Sequence, residues 1–207
     1  MTSPDDDIRT LLRGARSLDG DAERLARSFA EHAAGAGAAD VAYTTVDTPF
    51  GVAGLAATPR GLVAVSLPNR SLDDFIEELT IGISARVVEA PAALDAARRE
   101  LDEYFEGTRT AFDLPLDWRL VPGGFYRKVL RATARLPFGI TATYGEIAAK
   151  AGNARAHRAA GTALGSNPIP IVVPCHRIVR SGGDPGNYGG GPEMKRRLLQ
   201  LEGALAE

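Results

Sequence analysis

The hydrophobic period of this chain changes part-way along it, and that change restricts the fold more than any other feature. Three short β-type runs, Val41–Val46, Val52–Ala57 and Leu62–Leu67, are separated by Pro49-Phe50-Gly51 and Pro59-Arg60-Gly61. Proline presets φ for a turn and glycine tolerates the positive φ that closes it, so this spacing predicts a small antiparallel meander. Ser71 is placed to cap a helix running to about Ile83, and a short strand around Arg86–Glu89 follows. Pro91 then opens a helix with Leu94, Ala97, Leu101, Tyr104 and Phe105 on one face, ended by Gly107. Thr110–Leu114 reads as one more strand.

From Phe125 onward the period is helical. Phe125–Leu136 carries Val129, Leu130 and Ala134 on a buried side and is stopped by Pro137-Phe138-Gly139. Thr143 can cap a helix over Tyr144–Ala151, with Glu146 at the capping-box position. Gly152-Asn153 makes a turn into a second helix, Ala154–Leu164, bearing Arg155 and Arg158. Two short helices across such a turn fit a helix-turn-helix unit. Pro192 opens the final helix in its first turn. The organisation expected is a helical N-terminal extension over 1–39, an α/β unit over 41–118, and a mostly α unit over 119–207. A chain of 207 residues can hold one large domain or two small ones.

The net charge of −2 conceals a division along the same line. Residues 119–207 carry 13 Lys and Arg against 5 Asp and Glu, a balance of +8, whereas residues 1–118 carry 11 against 21, a balance of −10. A basic unit attached to an acidic one suggests a polyanion partner for the basic part; the plain alternative is chance segregation of solvated charge. Other classes fall away. One cysteine excludes an internal disulfide framework and a multi-cysteine zinc site, and the three histidines, His32, His157 and His176, are far apart in sequence. No stretch approaches the roughly 20 apolar residues that span a bilayer. The acidic start, Met1 to Asp7, lacks the layout of a signal peptide, so a cytoplasmic protein with no membrane association is expected.

The lone cysteine is the residue with most chemical potential. Cys175 ends the apolar, proline-bounded run Ile169-Pro170-Ile171-Val172-Val173-Pro174 and is followed by His176 and Arg177. A single buried cysteine often serves as a small hydrophobe. Cationic neighbours favour the nucleophilic thiolate instead, and His176 can take the thiol proton directly or through water.

Pro174-Cys175-His176-Arg177 resembles the signature of the O6-alkylguanine-DNA alkyltransferases, the methylated-DNA–protein-cysteine methyltransferases. Asn167-Pro168-Ile169-Pro170 before it and Asn187-Tyr188-Gly189-Gly190-Gly191 after it are similar to the family pattern. So are Thr143-Tyr144-Gly145-Glu146-Ile147-Ala148 and Ala156-His157-Arg158-Ala159-Ala160-Gly161. The resemblance is strong from about Phe125 to Gly203 and looser over 41–118, where it implies a ribonuclease-H-like α/β domain. For the C-terminal unit it implies a helix-turn-helix, winged-helix-like domain; it does not reach residues 1–39.

The resemblance also implies roles. Cys175 attacks the alkyl carbon on guanine O6, with O4 of thymine as an alternative target, and keeps the group as a thioether; His176 relays the thiol proton through a water, held by Glu202. Tyr144 donates to the leaving base, its alternative being a packing aromatic, and Asn167 orders the turn ahead of an active-site strand. Arg158 fills the gap left by the flipped base, the alternative being a phosphate contact, with Arg155 and Arg177 as further DNA contacts. Tyr188, Gly189, Pro170 and Val173 line the base pocket. Lys195-Arg196-Arg197 forms a solvated face near DNA, His157 lies at the surface, and Trp118 packs the junction of the two units. No metal or organic cofactor is implied, and the partner is double-stranded DNA carrying O6-alkylguanine, bound by a monomer. Some relatives carry a structural zinc in the N-terminal unit, but no cysteine lies there to bind it.

Three other functions fit parts of this pattern. A non-catalytic module that recognises alkylated bases would lack the cysteine, which is present. A helix-turn-helix regulator would need a dimerisation element, and none is evident. A cysteine hydrolase would need an acyl or peptide site that nothing marks.

Overall fold

Hairpin chemistry builds the first sheet. In a computed structural model that describes residues 39–206, β1 (Val41–Thr48), β2 (Gly51–Thr58) and β3 (Gly61–Val65) form the expected antiparallel meander. Each hairpin has a two-residue loop led by proline, and glycine opens the returning strand at positive φ, 118° at Gly51 and 127° at Gly61. A fourth strand, β4 (Val87–Glu89), pairs parallel to β1 and gives the order β3-β2-β1-β4. The parallel edge follows from α1 (Leu72–Gly82), which crosses over the sheet between β3 and β4. Ser71 caps α1 as expected, its hydroxyl accepting the Asp74 N–H at 3.1 Å.

The sheet is covered on both faces. Phe75 and Leu79 of α1 pack on Val41, Ala56, Val63 and Ala64. The opposite face, with Ala42, Val46, Leu55 and Leu62, meets Leu94 and the buried side of α2 (Asp95–Phe105), namely Ala97, Leu101 and Tyr104. The same core continues without a break into the helical half through Val129, Leu130, Ile147, Ile169, Ile178 and Leu198. Trp118 packs against it, with the Arg131 guanidinium 5.8 Å over its ring, so it lies where the two halves meet.

The helical half contains α3 (Phe125–Thr133), α4 (Tyr144–Lys150), α5 (His157–Gly165) and α6 (Gly191–Leu201). Thr143 and Glu146 form the full capping box at the start of α4. A two-residue pair, β5 (Ala142–Thr143) with β6 (Ile178–Val179), ties the entrance of α4 to the chain just beyond Cys175. No helix among the described residues is long and apolar enough to cross a membrane.

Two local expectations are corrected. Thr110–Leu114 is not a strand: side chains take its backbone groups, Arg109 Nη1 donating to Ala111 O and the Asp113 N–H to Glu100 Oε2, both 2.8 Å, and the chain bridges β3 just after it, through Leu62 N–H to Pro115 O and Asp117 N–H to Leu62 O, both 2.8 Å. Helix α5 starts at His157 rather than Ala154, because the Asn153 side chain accepts the Arg155 N–H at 3.2 Å and turns the chain first. Arg155 therefore lies in the turn, not on the helix. The extension expected over 1–39 and His32 within it lie outside the described residues, Ala39 excepted.

Gly61 shows how tightly the sheet edge is specified. A Cβ there would lie 2.1 Å from Pro115 O, at a φ that side chains rarely adopt. Gly61→Ala is expected to cost at least about 2 kcal/mol in urea unfolding; a midpoint equal to that of the parent would contradict this account of the edge.

Candidate active site

The segment that delivers Cys175 is a chain of tight turns, not a strand. Ile171 has φ 72°, a conformation rare for a β-branched residue, and the Val172 N–H donates to Pro170 O at 2.9 Å across it. This is a γ-turn of the strained, positive-φ kind. A second three-residue turn centres on Pro174 (φ −81°, ψ 66°), closed by the Cys175 N–H to Val173 O at 2.8 Å. Cys175–Arg177 then make one turn of 3-10 helix.

Asn167 holds these turns together. Its Oδ1 accepts the Ile169 N–H at 3.1 Å, while Nδ2 donates to Val173 O at 2.8 Å and to Cys175 Sγ at 3.2 Å. The assignment of the amide is fixed, since only this orientation satisfies all three partners. Cys175 is 9% exposed and lines an open cleft of about 1020 Å³. Burial pushes its pKa up, against the Asn167 hydrogen bond and the charge of Lys195, which favour the thiolate.

Behind the thiol lies a buried polar cluster. His176 Nε2 is 2.9 Å from Glu202 Oε1, and both side chains are 0% exposed. Arg177 donates from Nε to Glu202 Oε2 at 2.8 Å and from Nη2 to Oε1 at 2.9 Å, with Nη1 on Leu136 O. Tyr104 Oη donates to Oε1 at 2.7 Å, and the Gly139 N–H to Oε2 at 3.2 Å. Burial alone would raise the Glu202 pKa; the hydrogen bonds from His176 and Arg177 more than offset it and hold the carboxyl at about 2. Burial lowers the His176 pKa, outweighing the pull of Glu202. The resting imidazole is thus neutral, its Nε2–H on Glu202, and its buried Nδ1 has no partner among the described residues.

The cleft is walled by Tyr144 from α4, Arg158 and Gly161 from α5, and Arg180, Tyr188 and Gly189 from the loop before α6. Arg158 is exposed at the N-terminal end of α5. Gly161 lies beside the Tyr144 ring, where a Cβ would make ordinary contact at 3.7 Å. Among the described residues no group of three or more His, Cys, Asp or Glu side chains converges as a metal site requires.

Comparison with known proteins decides the family. The model of the 6-O-methylguanine DNA methyltransferase DNA-binding domain matches residues 124–204, and that of the ribonuclease-like domain of the same proteins matches 41–118. The chain belongs to this family. A methylated-DNA–protein-cysteine methyltransferase of Mycolicibacterium paratuberculosis is 43% identical over 162 residues, 78% of this chain and 92% of that protein. The crystal structure of Mycobacterium tuberculosis O6-methylguanine methyltransferase superposes with a TM-score of 0.68 at 36% identity, covering 81% of this chain and 95% of that one. The structure of Mycobacterium tuberculosis OGT in complex with DNA gives 0.66 at 38% identity, over 78% and 92%.

Within this member of the methyltransferase family, the expected residues fall into separate places. Cys175, Tyr144, Arg158, Tyr188 and Gly189 line one cleft; Asn167, His176 and Glu202 stand behind it. Pro170 and Val173 are buried in the turn segment rather than lining the cleft. Arg177 was expected to contact DNA and is instead 5% exposed, each of its three guanidinium nitrogens donating to Glu202 or Leu136 O. Lys195, expected on a solvated face, is 0% exposed and reaches Ile178 O, and Asn187 O at 3.4 Å; burial brings its pKa down to about 8. His157 is exposed as expected but lies at the cleft edge. Sequence reasoning missed Tyr104, Gly139, Gly161 and Arg180.

The cluster links stability to pH with a definite sign. His176 and Glu202 both have folded-state values below their ordinary 6.5 and 4.5, so the stability they carry is complete above the higher of these. It is lost as pH falls, first through His176 and then between 4.5 and about 2 through Glu202, the latter worth about 3 kcal/mol. Glu202→Gln leaves Arg177 uncompensated and is expected to cost about 3–5 kcal/mol at neutral pH. That difference should narrow as the pH of urea titrations is lowered from about 5 to about 3; a constant difference would refute the linkage.

Proposed function

We propose that this chain repairs alkylated DNA by transferring one alkyl group from O6 of guanine to its own Cys175. One observation carries the reading: a largely buried thiol lining an open cleft receives a hydrogen bond from Asn167 and sits next to a buried pair of neutral His176 and ionised Glu202. The names of the relatives, methylated-DNA–protein-cysteine methyltransferases, supply the reaction class.

The thiol proton passes through a water to His176 Nδ1, and the imidazolium is held by Glu202. Sγ attacks the alkyl carbon; the S–C bond forms as the C–O6 bond breaks, and both electrons of that bond stay on the guanine. The Tyr144 hydroxyl donates to the departing base. Its pKa is raised by burial, which keeps it a proton donor. A thioether has no step that regenerates the thiol, so each molecule acts once and needs no cofactor.

A stacked base cannot reach Sγ, so it must leave the duplex, at a cost of a few kcal/mol. Arg158, exposed on α5 at the cleft mouth, is our choice to occupy the gap, while Arg155 in the preceding turn contacts phosphate. The order β3-β2-β1-β4 with one parallel edge supports a ribonuclease-H-like sheet half, and α4–α5 with the β5–β6 pair supports a winged-helix-like one. One copy of the chain holds a whole site, which supports a monomer, and a thiol nucleophile suits the reducing cytoplasm.

Incubation with an O6-methylguanine duplex should replace the thiol proton by a methyl group, adding the mass of a single methylene on Cys175 in the intact protein. Cys175→Ser should take up nothing; turnover beyond one group per molecule would refute the reading. Arg158→Ala should slow transfer from duplex far more than from single-stranded substrate, by about 10-fold or more; equal slowing on both would reduce Arg158 to a phosphate contact.

A further inference from the structure

We infer that Tyr104 is a positioning residue of the proton relay, contributed by the sheet half, and that its hydroxyl limits how strongly Glu202 draws a proton onto His176. The inference rests on the relay described above.

Tyr104 belongs to α2 and is 0% exposed, caged by Phe105, Phe112 and Phe138 at ring-centroid distances of 5.3, 5.3 and 6.1 Å. Such a cage would hold phenylalanine equally well, and burying a hydroxyl is unfavourable unless it is partnered. Its partner is Glu202 Oε1 at 2.7 Å. That is the oxygen His176 Nε2 also addresses, at 2.9 Å.

Donors on one oxygen compete. Each hydrogen bond to Oε1 withdraws electron density and makes it a weaker acceptor for the others. Arg177 already supplies two donors to this carboxylate, so with Tyr104 in place Glu202 orients the imidazole more than it protonates it. Tyr104 can only donate here, because burial and the Glu202 charge keep the phenol protonated. The remaining groups facing the relay are Lys195 from α6, whose charge acts on His176, Cys175, and the Tyr188 ring, 6.2 Å from the imidazole. None of these is hydrogen-bonded to Oε1, so among the described residues Tyr104 is, besides the imidazole itself, the uncharged donor on that oxygen.

The test compares the parent, Tyr104→Phe, and a protein with 3-fluorotyrosine at 104, a stronger donor of nearly the same shape. Two quantities are followed against pH: the single-turnover rate of methyl transfer from an O6-methylguanine duplex, and the NMR titration of the His176 ring. His32→Gln and His157→Gln assign the other two histidines. In Tyr104→Phe the acid limb of the rate and the His176 titration should both move up by at least about half a pH unit. The fluorinated protein should move both down. A purely structural Tyr104 would lower the rate evenly across pH, or lower the unfolding temperature, while leaving the His176 titration in place; that result overturns the inference. No mass gain on Cys175 in the parent would instead sink the transfer reading, while the NMR titration would still judge the coupling.

Discussion

A single buried carboxylate organises this protein. Glu202 accepts from Tyr104, His176, Gly139 and twice from Arg177, and so joins α2 of the sheet half, the loop after α3, the turn carrying Cys175, and the end of α6. Taking an ionised carboxylate out of water costs several kcal/mol, and an opposite charge with good hydrogen bonds is needed to offset it. Arg177 supplies the charge and also donates from Nη1 to Leu136 O, with the Phe138 ring 5.9 Å from its guanidinium. Pro137-Phe138-Gly139 is therefore much more than a helix stop. Phe138 touches both Arg177 and Tyr104, and Gly139 takes φ 72° where a Cβ would meet Glu202 O at 2.7 Å.

The turns before Cys175 are the second organising feature. A γ-turn at Ile171 holds a β-branched residue at positive φ and costs of the order of 1–3 kcal/mol, which the surroundings must over-determine. They do so from several directions. Ile171 is 1% exposed in the core, the Val173 N–H donates to Ile169 O at 2.8 Å, and Asn167 spans the segment from Ile169 to Sγ. An ordinary strand would alternate its side chains between two faces. The coiled path instead buries Val172, which a strand would send to the opposite face, in the same core as Ile169, Ile171 and Val173, while Cys175 lines the cleft.

The parts of the molecule written in local chemistry were readable in the sequence: the proline–glycine hairpins, the Ser71 and Thr143 caps, and the buried stripe of α2. The parts decided by distant partners were not. Arg177 and Lys195 look like surface cations because basic residues usually are; only the fold reveals that a carboxylate 25 residues away and the carbonyls of Ile178 and Asn187 await them. The Ile171 turn breaks the strand pattern that Ile169–Val173 suggests, and no local signal announces positive φ at isoleucine. Tyr104 did leave a trace. A tyrosine in a stripe of Leu94, Ala97 and Leu101 implies a buried acceptor for its hydroxyl, but sequence spacing does not say that the acceptor is Glu202.

The division of charge along the chain acquires a physical meaning from where the halves touch. Val65 N–H donates to Pro168 O at 2.8 Å, Asn69 Nδ2 to Gly189 O at 2.8 Å, and Tyr104 to Glu202, while the Arg197 guanidinium lies 4.7 Å from the Phe50 ring. These contacts fall on the turn before Cys175, the loop that walls the cleft, the buried Glu202 carboxylate and the final helix. The acidic sheet half thus frames the chemistry from behind. A polyanion approaching the cleft mouth meets Arg158 and Arg180 of the basic half, and like-charge repulsion from the sheet half would disfavour an approach from its side. The same arrangement that fixes the reactive thiol therefore also gives the molecule one electrostatically preferred side for DNA.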